Sequence, residues 1–373
     1  MALRAWLCVA ATLAMPVDED LPCAWVRSST SDRCVAPPMA RRTCSVTLAQ
    51  CEARYAPLLA RIARDLAPWE ATGITDAMVA ARVARRSAVG DDLWLGARNG
   101  TLAVARVKPK GYKGRGHKAY AHLKRALETV CDVPDGSILY STSDHAPDLA
   151  HVDGAAPSHA PLHVFCARRA DRLSVLAPEA PSFGVDYDAV VAKLRDNANK
   201  TGDDRLWFAG KVAGPGNEAR AAAGRLASAR PDLLDVRLSA GDARVGAEDQ
   251  CRHAFALYLH GSACSGRLKR LVHCGSAIVF PKAAGGVVPD GQYEEFFYDA
   301  LIEPGRTVVA AADVADLERV MDEARADPAP ARRAAAELDR RAAALLSEES
   351  VACYWATLFR ENARLRRKGT SRS

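Results

Sequence analysis

From residue 188 onward the chain alternates short apolar runs with amphipathic ones, and no other feature narrows its fold so far. Apolar runs fall at 206–209, 233–238, 255–260, 277–280 and 307–310, with helical patterns at 188–197, 218–228, 265–273 and 293–302. Parallel strands need a long crossover between them, and a helix supplies it. The alternation therefore predicts α/β layers built on parallel sheets. Three helices close the chain, at 314–326, 331–346 and 350–366.

The upstream half is less regular. Leu48, Cys51, Tyr55, Leu58, Leu59, Ile62 and Leu66 share one face of a helix over 46–66. Thr75 or Asp76 caps a second helix that runs through Val89, with Met78, Val79, Val83 and Ala84 as its stripe. Asn99-Gly100 between apolar runs at 93–97 and 101–107 is a hairpin signal. A helix over 119–131 and strands over 137–142 and 162–166 follow. At 373 residues the chain has room for two domains. The basic, Gly-rich stretch 108–118 reads as a solvated loop, with phosphate contact as the alternative.

Met1–Arg4 followed by the apolar run 5–14 reads as a secretory signal peptide, with small residues Thr12 and Ala14 at cleavage positions. A buried N-terminal helix is the competing reading. No other run reaches the length of a membrane span, so none is expected in the mature chain. Of 11 cysteines, ten lie beyond that leader, an even number that suits disulfides in an oxidising compartment. Zinc is disfavoured, because no C-x-x-C pair occurs and the histidines do not cluster. Asn99-Gly-Thr101 and Asn199-Lys-Thr201 are glycosylation sequons, which support the same lumenal reading. With 51 Lys+Arg against 45 Asp+Glu, the net charge of +6 suits phosphate-bearing ligands, and no nucleic-acid motif accompanies it.

The chemistry concentrates in 257–280, LYLHGSACSGRLKRLVHCGSAIVF. An apolar strand ends at His260, a turn of small residues follows, and a helix opens with Arg267 and Lys269 in its first turn. Ligands of α/β sheets bind at the carboxyl ends of strands, and N–H groups at a helix start attract anions. By its residues alone this is either a diphosphate cradle or a plain strand–turn–helix with Ser265 as N-cap.

These residues carry a resemblance. The turn, its R-x-K spacing and Cys274-Gly-Ser276 resemble the protein O-glucosyltransferases of glycosyltransferase family 90, the capsule-associated-protein-like or Rumi-like group. Similar too are Glu295-Phe-Phe-Tyr298, Ile302-Glu-Pro-Gly305, Asp313–Leu317, Cys353-Tyr-Trp355, Asp65–Trp69 and Trp207-Phe-Ala-Gly210. The resemblance implies a GT-B-like fold: two Rossmann-like domains facing a central cleft, with the C-terminal helix crossing back to the N-terminal domain. On that scheme 1–15 is the leader, 16–185 the acceptor-side domain, 186–348 the nucleotide-sugar domain and 349–373 the crossing helix and basic tail.

It also implies roles. The enzyme would be an inverting transferase that needs no metal or other cofactor and moves glucose or xylose from UDP-glucose or UDP-xylose to a protein or glycan hydroxyl. Ser262, Ala263, Cys264, Ser265, Gly266 and Arg267 match the donor-binding turn. Arg220 matches a second donor arginine, Lys211 lies close by, and Glu295 would hold a sugar or ribose hydroxyl. Asp144 matches the catalytic base, with His145 and Asp148 nearby; by its residues alone it is a turn residue before a Pro-containing loop. The resemblance pairs Cys251 with Cys274, and Cys353 with Cys51 or Cys44. Two departures stand out: Ala209 replaces the family's usual Arg, and His260 stands where many members carry a charged residue. Together they leave a second reading open, a UDP-sugar-binding protein without turnover.

Overall fold

A computed structural model describes residues 44–87, 92–98, 101–106, 123–126, 128–141, 157–169, 171, 173–179, 186–198, 203–212, 217–239, 247–261, 263–282 and 293–370. The proposed leader and both sequons' asparagines lie outside these residues. The chain divides into two compact units. The first comprises Met1–Phe165, Ala170–Val185 and Glu349–Ser373, the second Cys166–Arg169 and Asp186–Glu348.

In the first unit, helix α1 (Leu48–Leu66) opens with a capping box between Thr47 and Gln50. Pro57 removes one amide from its ladder, and the helix bends at Tyr55, whose φ of −118° leaves the helical range. Helix α2 spans Asp76–Ser87. The sheet contains β1 (Asp92–Arg98), β2 (Thr101–Arg106), β3 (Gly136–Ser141), β4 (Leu162–Val164) and β5 (Ser174–Leu176), in the order β2-β1-β3-β4-β5. It is mixed rather than parallel. β1 pairs antiparallel with both β2 and β3, and β4 pairs parallel with β3 and β5. The cause is the hairpin: Arg98 lies opposite Thr101, so two residues connect β1 to β2 and leave no crossover. The helix expected to reach residue 131 stops short of it. Val130 and Cys131 instead form a two-residue parallel strand with Val46 and Thr47, beside a Cys44–Cys131 disulfide.

The closing helix, Glu348–Thr370, packs into this unit. Trp355 meets Tyr140 edge-on, and the Tyr354 hydroxyl donates to the Leu176 carbonyl at 3.0 Å. Cys353 is bonded to Cys51, one of the two partners the resemblance allowed. Below β5 the buried Asp65 receives Arg61 at 2.8 Å and the Leu176 amide at 3.0 Å; burial still raises its carboxyl above the ordinary value.

The second unit carries a parallel sheet of β6 (Leu206–Lys211), β7 (Leu234–Ser239), β8 (Phe255–Leu257), β9 (Ala277–Pro281) and β10 (Val309–Ala311). Its order is β7-β6-β8-β9-β10, and every pairing is parallel. Helices α3 (Tyr187–Asp196) and α4 (Glu218–Ala229) precede β6 and β7 in the chain. The core joins Leu206, Phe208, Leu257, Leu259 and Val279 from the strand segments to Leu317 and Met321. Strand alternation puts Leu206 and Phe208 on one face, and the whole run Leu206–Ala209 is buried. No helix among the described residues is long and apolar enough to cross a membrane.

Two helices are shorter than the sequence predicts. Over 293–302, Tyr293 and Glu294 pair antiparallel with Arg168 and Ala167, so only Tyr298–Leu301 is helical. Over 265–273, helix α5 is confined to Leu268–Leu271. Its start is delayed because the Ser265 amide is drawn to the Tyr258 hydroxyl at 3.3 Å and Cys264 is bonded to Cys166. It ends before Gly275, whose φ of +65° suits a residue without Cβ.

Candidate donor-binding site

The site grows from the ends of β6 and β8. After β8 the chain stays extended through Tyr258, whose amide donates to the Val279 carbonyl at 3.0 Å. It turns where the Gly261 amide donates to the Ala263 carbonyl at 3.1 Å. Phe208 on β6 is fully buried, and its ring carries two guanidinium groups. The Cζ of Arg267 lies 4.6 Å from the ring centre and that of Arg220 5.6 Å. Glycines make the approach feasible: a Cβ at Gly210 would stand 3.2 Å from an Arg267 nitrogen, and one at Gly261 3.2 Å from an Arg220 nitrogen.

Arg220 sits in the first turn of α4 and donates from Nη1 to the Lys211 carbonyl at 2.8 Å. Its Nε and the Nη1 of Arg267 are buried and have no hydrogen-bond acceptor among the described residues. Neither cation forms an ion pair with a described carboxylate. Burial lowers the Arg220 guanidinium from its ordinary range. Burial first, and then repulsion from Arg220, brings Arg267 down to about 10. Like charges gathered in a poorly hydrated place are costly unless an anion joins them. Arg forks suit phosphate oxygens, so the arrangement favours a ligand with several acceptor oxygens and at least one negative charge.

The other expected residues divide. Cys264 is bonded to Cys166, and its amide also donates to the Cys166 sulfur at 3.0 Å. Ala263 and Ser265 are buried, Gly266 is exposed, and Ser262 lies outside the described residues. Ser265 is not the N-cap: Arg267 holds that position, with no side-chain capping bond. The cradle therefore owes its character to guanidiniums and not to a long helix. Lys269 is no part of it either. Its Nζ lies 2.8 Å from Glu295, and both side chains are sealed from solvent, so its charge is committed inside the protein. Glu295, expected at a sugar hydroxyl, is this buried partner. Lys211 is exposed and contributes its carbonyl to Arg220. Cys251 and Cys274 are bonded, which ties the loop before β8 to the end of α5. Asp144, His145 and Asp148 lie outside the described residues.

Sequence reasoning missed four contributors. Phe208 was hidden in an ordinary strand pattern. Tyr258 and Tyr298, joined by a 2.8 Å hydroxyl bond behind the turn, look like core aromatics in the sequence. Cys166 has no readable link to Cys264, because connectivity does not follow from spacing. Among the described residues no group of three or more His, Cys, Asp or Glu side chains is placed to hold a metal ion.

Two guanidiniums without a described carboxylate gather at the strand ends of a parallel sheet, where ligands of α/β folds bind. Residues 216–372 match the family described as Glycosyl transferase family 90, as the sequence resemblance implied. The match takes in Arg220, the turn, Glu295 and Cys353. A comparison with curated proteins finds no match.

Proposed function

We propose that the protein is an inverting, metal-independent glycosyltransferase that moves glucose or xylose from a UDP-sugar to a hydroxyl of a protein or glycan. The observation that carries this reading is the pair of guanidiniums on Phe208, which face no described carboxylate inside the matched family segment. In the proposed reaction Arg220 and Arg267 hold the donor's diphosphate. The acceptor oxygen attacks the anomeric carbon as the bond from that carbon to the phosphate oxygen breaks. The acceptor's proton passes to Asp144, and UDP leaves with its charge stabilised by the guanidiniums. A single in-line displacement inverts the anomeric centre. The family resemblance supports a GT-B arrangement with a donor-side and an acceptor-side domain. The apolar leader and the four disulfides among the described residues support a lumenal or secreted setting, in the endoplasmic reticulum or Golgi.

A donor screen tests the reading: the purified chain is incubated with several UDP-sugars and UDP release is measured. Release above the uncatalysed rate with one of them supports it, and failure to bind UDP removes it. Ala209, in place of the family's usual Arg, favours a second reading, a binding protein without turnover. Calorimetric binding of UDP with no hydrolysis or transfer from any donor selects that alternative.

A further inference from the structure

His260 ends the strand segment that leads into the donor turn, and its ring is 2% exposed. It is wedged edge-on between Tyr258 and Tyr293, at centroid distances of 5.2 and 5.8 Å. A short relay determines where its proton sits. The Tyr258 oxygen accepts from the Tyr298 hydroxyl at 2.8 Å and from the Ser265 amide at 3.3 Å. With both acceptor positions used, the hydroxyl of Tyr258 directs its own hydrogen to His260 Nδ1, 3.3 Å away. Nδ1 is therefore an acceptor, and the ring hydrogen belongs to Nε2.

The imidazole is also neutral, because burial, reinforced by the charge of Arg220, pulls it down to about 3. No described residue accepts the Nε2 hydrogen. Two buried donors on neighbouring arginines, Arg220 Nε and Arg267 Nη1, also lack an acceptor among the described residues. Polar groups sealed in a protein are normally satisfied, so the two unanswered guanidinium donors call for acceptor atoms from outside the chain, and the Nε2 hydrogen has no described acceptor to compete for it. A neutral donor among two cations adds a directed hydrogen bond without adding to their repulsion.

We propose that His260 is a third binding residue of this site, its Nε2–H donating to an oxygen of the bound nucleoside diphosphate beside Arg220 and Arg267. The proposal rests on the nucleotide-donor reading above. It gives a role to one of the chain's two departures from the family pattern.

Calorimetric titration of the full chain with UDP, comparing wild type with His260→Gln and His260→Asn, tests it. A glutamine amide reaches the place of Nε2, whereas an asparagine amide reaches only that of Nδ1. The expected result is Gln within about threefold of wild type and Asn weaker by about tenfold or more, the range for a hydrogen bond to a charged acceptor. Wild type that binds UDP while Asn binds it equally well overturns the proposal and leaves the donor reading intact. Wild type that fails to bind UDP overturns both. Should the Asn variant not fold, nitrogen NMR of histidine-labelled wild type decides. The His260 signal, identified by its loss in the Gln variant, should show the Nε2–H form and shift as UDP saturates. An Nδ1–H form, or a signal indifferent to UDP, refutes the assignment.

Discussion

Replacing Arg267 by methionine should move two observables in opposite directions. The guanidinium titrates at about 10 in the folded chain, against an ordinary 12.5. Each tenfold change is about 1.4 kcal/mol, so holding the cation costs the unliganded fold on the order of 3 kcal/mol. The sign follows from a lowered base: the cost is fully present below pH 10 and is relieved only as the folded group loses its proton above it. Set against this is the contact with the Phe208 ring, worth about 0.5–2 kcal/mol. Methionine keeps the length and the apolar packing without the charge. The net gain is about 1–2 kcal/mol, which raises the melting temperature by about 2–8 °C in a domain of this size. UDP affinity should fall by about 1.5–3 kcal/mol, because a charge-assisted contact is gone. Scanning calorimetry at pH 7.5 with and without UDP reads both effects. A variant that melts below wild type, or that binds UDP equally well, would refute the arrangement of two uncompensated cations.

Other outcomes follow from the same structure. Asp144→Asn should abolish transfer and leave UDP affinity within about twofold; full activity in a transfer assay would eliminate it as the base. Non-reducing peptide mapping should recover Cys44–Cys131, Cys51–Cys353, Cys166–Cys264 and Cys251–Cys274, and free thiols at Cys251 and Cys274 would discount that bridge. Cys353→Ser opens a loop with a sequence separation of 302 and should cost about 4–5 kcal/mol, measured by urea unfolding. His163 is buried and neutral, with Nδ1–H donating to the Leu139 carbonyl at 3.0 Å and Nε2 accepting from Asn362 at 3.0 Å. Unfolded chain takes its proton near 6.5 and folded chain only at about 4, so the stability it gives above pH 6.5 is lost as the pH falls through that interval. Urea midpoints of wild type and His163→Gln should converge toward pH 4; parallel curves would rule out this histidine as the cause.

The second unit was legible because local chemistry and fold agree there. Leu206, Phe208, Leu257 and Val279 are apolar at positions that face inward, and a helix of ordinary length, α4, separates β6 from β7. The first unit was harder. The Asn99-Gly100 turn correctly announced a hairpin, yet the mixed sheet around it depends on pairings between residues as distant as Trp94 and Leu139. Within the site, Arg220 and Arg267 were visible as charges near a turn. Their shared seat on Phe208 was not, since nothing in a sequence tells which strand passes beneath a given side chain. Lys269 misled for the same reason. Its spacing from Arg267 suggests a second phosphate ligand, but Glu295, 26 residues later, claims it in the interior.

The first unit is assembled from both ends of the polypeptide, and that has a consequence for biosynthesis. Cys51 finds its partner only when Cys353 has been made, and the Tyr354 and Trp355 contacts wait equally long. On a ribosome, residues 186–348 emerge as one uninterrupted stretch and can acquire their parallel sheet while the preceding portion is still missing its last helix. A nascent chain arrested before residue 349 should therefore protect the parallel sheet from protease and leave the opening portion cleavable, with Cys51 still reactive toward thiol reagents.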